Sequence, residues 1–87
     1  MSIRKCPEAF SETQIDDEHV LMVLASGEFL SLAGTGGEIW RLIDGERDEE
    51  GLVALLAAQF DAARETIAAD VAAFLARLEK RGLIVRA

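Results

Sequence analysis

The apolar residues of this chain change their spacing once, at Gly34, and that change limits the fold more than any other feature. Before it they come in short runs bounded by turn residues. Residues 19–24 read HVLMVL, a continuous apolar run rich in branched side chains and too short for a typical helix, which predicts a strand. Residues 10–15 alternate weakly and predict a strand ahead of it; residues 28–32 (EFLSL) predict one after it. Asp16-Asp17-Glu18 and Ala25-Ser26-Gly27-Glu28 are the intervening turns. Strands so close in sequence pair as an antiparallel meander. In the third strand, alternation puts Leu30 and Leu32 on one face and Phe29 and Ser31 on the other.

After Gly34 the spacing is helical. Thr35-Gly36-Gly37-Glu38 has the form of a capping box, and Ile39, Trp40, Leu42 and Ile43 follow as a short apolar helix that Asp44-Gly45 ends. Asp48 is a good N-cap for a second helix with Leu52, Leu55, Leu56 and Phe60 at helical spacing. Ile67, Val71, Phe74, Leu75 and Leu78 form one stripe on a third helix over residues 66–81. Gly82 sits where a C-cap glycine belongs, and a Schellman turn there would bring Leu83 onto Leu78. Residues 83–85 add a short extended tail. Residues 1–9 read as a flexible leading arm in which Pro7 discourages regular pairing. The expectation is one domain over residues 1–87. Its class is α+β and winged-helix-like, a three-stranded antiparallel sheet followed by three helices. The single Trp40, on an apolar helix, is expected to anchor the core.

Charge narrows the partners. The net charge is −7, and up to Trp40 the basic residues are Arg4 and Lys5 against seven acids. Duplex nucleic acid repels such a surface, and the basic residues near the end of the third helix (Arg77, Lys80, Arg81, Arg86) form only a short cluster that Glu79 dilutes. No apolar run approaches the roughly 20 residues of a membrane span. The N-terminal residues lack the apolar core of a signal peptide, and the one cysteine, Cys6, cannot form an intramolecular disulfide. A cytoplasmic protein with no membrane partner is expected.

The residue inventory offers little for catalysis. One His (His19) and one Cys (Cys6) lie on either side of a strand, a poor start for a nucleophile and its base. They also fall short of the three or four ligands of a zinc site. Asp16-Asp17-Glu18 lacks the alternating spacing and distal Glu of a calcium loop. Gly34-Thr35-Gly36-Gly37 opens a helix, as anion-binding loops do, but no Lys follows it. Those glycines are read as allowing a tight strand-to-helix turn with close packing. No catalytic residue, metal ligand or cofactor site is expected.

Five segments stand in a recognisable order: VLMVL at 20–24, SGEFLSL at 26–32, IWRLIDG at 39–45, DVAAFLARL at 70–78 and GLIV at 82–85. Together they resemble the PqqD family, the RiPP recognition elements, over about three quarters of the chain. Family members often carry an aromatic pair after the Ser-Gly turn and an Asn after the Leu; here Phe29-Leu30 and Ala33 take those places. The resemblance implies three strands followed by three helices. It implies a role as well. The leader of a ribosomally made precursor peptide adds as a strand along the third strand, its side chains in a groove against the third helix. The domain then presents the peptide to a separate modifying enzyme, a radical enzyme or a peptidase/cyclase.

The residues suit that mechanism. An open edge strand is a template for strand addition. Ala69, Ala72, Ala73 and Ala76 line the third helix beside its large stripe, and small side chains let a backbone approach closely. Alanine is also the best helix former, which accounts for them equally. Asp70 and Arg77 lie two turns apart on one side and can meet charges on a peptide, or be an ordinary solvated face. The expected site is the backbone of Glu28, Phe29, Leu30, Ser31, Leu32 and Ala33, with Asp70, Ala73, Phe74 and Arg77 opposite. Two other readings share this architecture, a winged-helix DNA-binding domain and a regulatory protein-interaction module.

Overall fold

A computed structural model describes residues 1–16 and 18–86. The elements in chain order are β1 (Ile3–Lys5), a 3-10 turn (Pro7–Ala9), β2 (Phe10–Ile15), β3 (Glu18–Val23), β4 (Phe29–Leu32), α1 (Thr35–Leu42), α2 (Glu49–Phe60), α3 (Arg64–Lys80) and β5 (Ile84–Arg86). The meander is as expected: β2 pairs antiparallel with β3 and β3 with β4, giving a sheet in the order β2-β3-β4. Three helices follow, so the fold is α+β. Asp17, in the expected first turn, lies outside the described residues.

The sheet's inner face and the helices share one core. Leu21, Val23, Leu30 and Leu32 come from the strands, Ile39 and Trp40 from α1, and Leu52, Val53 and Leu56 from α2. The α3 stripe Ile67, Val71, Phe74, Leu75 and Leu78 is buried in full. Trp40 is fully buried, as its place on α1 predicts. Its ring meets Phe10 edge to face with centroids 5.1 Å apart, and its Nε1 donates to Glu12 Oε2 at 3.3 Å. Asp48 caps α2 by accepting from the Gly51 amide at 2.8 Å. The end of α3 is the expected Schellman turn, with Leu83 N–H bonded to Leu78 C=O and Gly82 N–H to Glu79 C=O, both at 3.0 Å.

Two local expectations are corrected. Residues 1–9 are not a free arm: β1 pairs antiparallel with β5, placing Ile3 opposite Arg86 and Lys5 opposite Ile84. Ile3 has no exposed surface, and burying such a side chain stabilises by about 1.5–3 kcal/mol, enough to hold a short strand in place. Lys5 lies over the Trp40 ring, 4.3 Å from its centroid, and burial pushes its ammonium pKa down against the opposing pull of Glu12. Pro7 opens the 3-10 turn, where a missing N–H costs nothing, instead of interrupting the strand.

The second correction is the capping box. The N-cap of α1 is Gly34, at φ 61° and ψ −131°, a conformation essentially reserved for glycine. Helix therefore begins at Thr35 itself, one residue too early for its hydroxyl to cap. The Glu38 carboxylate turns instead to Arg41 and Gln59. Gly36 and Gly37 serve close packing. A Cβ on Gly36 would meet the Phe74 ring at 3.3 Å, and one on Gly37 would meet the Leu32 carbonyl oxygen at 3.2 Å.

Candidate peptide-binding groove

Among the described residues, β4 has no strand neighbour on the side away from β3. Its register with β3, Met22↔Phe29 through His19↔Leu32, uses one edge only. The other edge faces α3 across a groove of about 270 Å³. Ser31, Leu32 and Ala33 form one wall, and Asp70, Ala73, Phe74 and Arg77 the other. Seven of the ten expected residues thus meet around one concavity.

The other three sit differently. Leu30 faces the core, Phe29 points out of the opposite sheet face with 68% of its surface exposed, and Glu28 closes one end of the strand. Glu28 forms a two-pronged pair with Arg81, whose Nε and Nη2 donate at 3.0 and 3.1 Å. That pair holds the Glu28 carboxyl below its usual pKa and raises that of the guanidinium. Of these three, only Phe29 turns its N–H and C=O to the open edge: the Glu28 carbonyl accepts from the Val23 amide at 2.8 Å, its amide donates to Ser26 Oγ at 3.2 Å, and Leu30, two residues on, faces β3 as Glu28 does.

Thr35, Gly36 and Ile39 of α1 complete the lining, an addition to the expected set. Thr35 and Ile39 share a helix face at i, i+4 spacing. The signal is present in the sequence, but apolar α1 residues read as core. The Glu28–Arg81 pair has no local signal, since its partners lie 53 residues apart.

Small and large side chains divide the work in this groove. Ala73 is exposed and leaves room beside the strand, while Phe74 is buried and forms the floor against Gly36. Arg77 and Asp70 form no salt bridge among the described residues, so both charges are available to a ligand. They mark opposite ends: Arg77 near the Glu28–Arg81 pair, Asp70 near the start of α1.

A roomier concavity, about 470 Å³, lies at the start of α2 among Met1, Asp48, Glu50, Val53, Arg64 and Arg86. Arg86 is already bound there to Glu49 at 2.7 Å, and no residue of the β2-β3-β4 sheet lines it. The groove beside β4, although smaller, is the one that an open sheet edge borders. His19 Nδ1 lies 3.0 Å from the same Glu12 carboxylate that Trp40 uses, a structural arrangement. No group of three or more His, Cys, Asp or Glu among the described residues is placed to hold a metal ion.

The sequence profile of coenzyme PQQ synthesis protein D (PqqD) matches residues 18–84. The chain belongs to the PqqD family. No curated protein sequence matches it. Two solved structures resemble this PqqD-family chain. One, described as TbiB1 in complex with the TbiA(beta) leader peptide, is 30% identical, with 93% of each chain covered and a TM-score of 0.79. The other, lasso peptide synthetase B1 complexed with the leader peptide, is 23% identical, with 99% of this chain and 100% of that chain covered and a TM-score of 0.82. At that identity the second likeness bears on the fold.

Proposed function

We propose that this PqqD-family chain is a non-catalytic adaptor that binds the leader of a ribosomally made precursor peptide and presents it to a modifying enzyme. The observation that carries the reading is the open edge of β4 set against a groove walled by α3. The TbiB1 complex supports it, being a related fold described with a leader peptide bound. The leader extends the sheet by pairing with residues 28–33, and its inward side chains rest on Ala73 and Phe74 between Arg77 and Asp70.

The energetics set the kind of binder this is. A four-residue strand turns the N–H and C=O groups of only about two residues outward. Main-chain bonds so few give register more than affinity, and selectivity falls to the groove. The leader also loses conformational entropy on ordering, which keeps affinity moderate. The modifying enzyme is a radical enzyme or a peptidase/cyclase, which the neighbouring genes would distinguish. The reading places the chain in the cytoplasm and requires no cofactor of its own. Among the described residues no helix is long and apolar enough to cross a membrane.

The test is titration of isotope-labelled protein with the leader encoded beside it, with amide shifts mapped along the chain. Shifts concentrated in β4 and α3 are expected. Shifts centred on α2, with β4 and α3 silent, would overturn the assignment. A DNA-binding reading is disfavoured by the acidic sheet half of the chain and by an α3 whose basic residues are Arg64 at its start and Arg77 and Lys80 in its last turn, with none between.

A further inference from the structure

The outer face of the sheet mixes hydroxyl side chains with exposed apolar ones. An antiparallel sheet with one face on the core normally turns polar side chains out on the other. Here the register lines up Ser11, Met22 and Phe29 in one cross-strand row and Thr13, Val20 and Ser31 in the next, with Ile15 beyond them. These residues shape a shallow depression of about 210 Å³ lined by Ser11, Thr13, Ile15, Val20, Met22 and Phe29, none of them charged. Ile15 and Phe29 are 57% and 68% exposed.

Of the seven acids between Cys6 and Trp40, Glu12 turns to the inner face with Trp40, and Glu28 and Glu38 are paired with Arg81 and Arg41. Glu18 stands on the same face as the patch, where its carboxylate accepts from the Ser31 hydroxyl at 2.8 Å. An uncharged centre with the Glu18 carboxylate at its margin fits a protein surface of the reverse kind, an apolar knob with a Lys or Arg beside it.

We infer that this face is the docking surface for the modifying enzyme. The inference rests on the adaptor reading and adds the surface through which the enzyme is held. Continuity with the groove favours the enzyme over other occupants. A leader strand added to β4 alternates its side chains, half into the groove and half onto the outer face beside Phe29 and Ser31. A partner on that face therefore touches adaptor and leader together, and leader binding strengthens enzyme binding. By linkage the enzyme strengthens leader binding by the same factor.

A photo-cross-linker at position 13, in the middle of the patch, and a control at the exposed Glu50 of α2 locate the contact in cells of the source organism. Position 13 should capture an enzyme that modifies the precursor, through a segment bearing Lys or Arg, and position 50 should not. With the captured enzyme purified, Met22→Glu should weaken its association with the leader-loaded adaptor by about tenfold or more. Leader affinity in the absence of enzyme should change by less than about twofold, since Met22 lies outside the groove. Ile15→Glu, at a more exposed position, gives the same comparison should Met22→Glu fail to fold. Capture of a second copy of this chain, or an association constant unchanged in these variants, overturns the docking surface and leaves the adaptor reading standing. Absence of leader binding by the unaltered chain overturns both.

Discussion

The sheet has two open edges, and only one of them reads as a binding site. Along β2 a charged side chain stands in mid-strand, and it is committed: Glu12 accepts from Trp40 and lies against His19. Phe10, on the same face, is held by the Trp40 ring. Along β4 no charge interrupts Phe29–Leu32, and the edge looks across a groove to α3. On the proposed reading, unpaired backbone alone does not make a peptide site. A charged edge discourages pairing, whereas an uncharged edge with a second wall gives an incoming strand both a ladder and a floor.

The largest expected effect comes from removing what fixes the β2 side. Trp40→Ala deletes the ring under Phe10 and Lys5 and should cost about 3–5 kcal/mol, read as a lowered denaturant midpoint. An unchanged midpoint would show that β2 is held by something other than this anchor. Next is the β4 side. Ala73→Trp should fill the groove and reduce leader affinity by about tenfold or more with little change in stability, because Ala73 is exposed. The matching insertion at the other edge, Thr13→Trp, should leave leader affinity unaltered; an equal loss there would erase the distinction between the edges.

Smaller effects separate the charges around the groove. Arg77→Glu should weaken binding of an acidic leader by a few-fold, and less so at high salt, since the site is solvated. Isothermal titration at two ionic strengths reads this directly. The smallest effect is that of Glu28→Gln. The Arg81 guanidinium holds the Glu28 carboxyl below its ordinary 4.5 in the folded chain. The unfolded chain therefore takes up the proton first as pH falls. The stability from this pair is present in full above that ordinary value and is lost as pH drops through the lowered one. Unfolding midpoints of Glu28→Gln and the unaltered chain should differ slightly at neutral pH and converge in acid. A difference that persists in acid would assign the effect to packing instead.

What can be read from the sequence divides along physical lines. The α3 stripe, the Schellman turn and the Asp48 cap are legible because each is a short-range pattern with one steric solution. The face assignment in β4 is legible for the same reason, since alternation is fixed by the pleat. The pairing of β1 with β5 is not, because three residues carry no periodicity and their partner lies at the far end of the sequence. The capping box fails on one backbone angle: Gly34 admits a conformation from which the helix starts a residue early. The placement of Thr35 and Ile39 at the groove is hidden by an ambiguity of chemistry. An apolar helix face that packs on a core and one that lines a cleft have the same composition.

The pairing of Lys5 with Ile84 also bears on how the molecule is made. Local hairpins and helices can form as soon as their residues are available, but this contact joins the two ends of the sequence. Its loop-closure entropy must be met before Ile3 and Ile84 can be buried together. On the ribosome the meander can assemble early, while the core stays unsealed until β5 has emerged. The nascent domain therefore waits on β5, and a chain cut short of Ile84 would hold its sheet yet leave Ile3 without its strand partner.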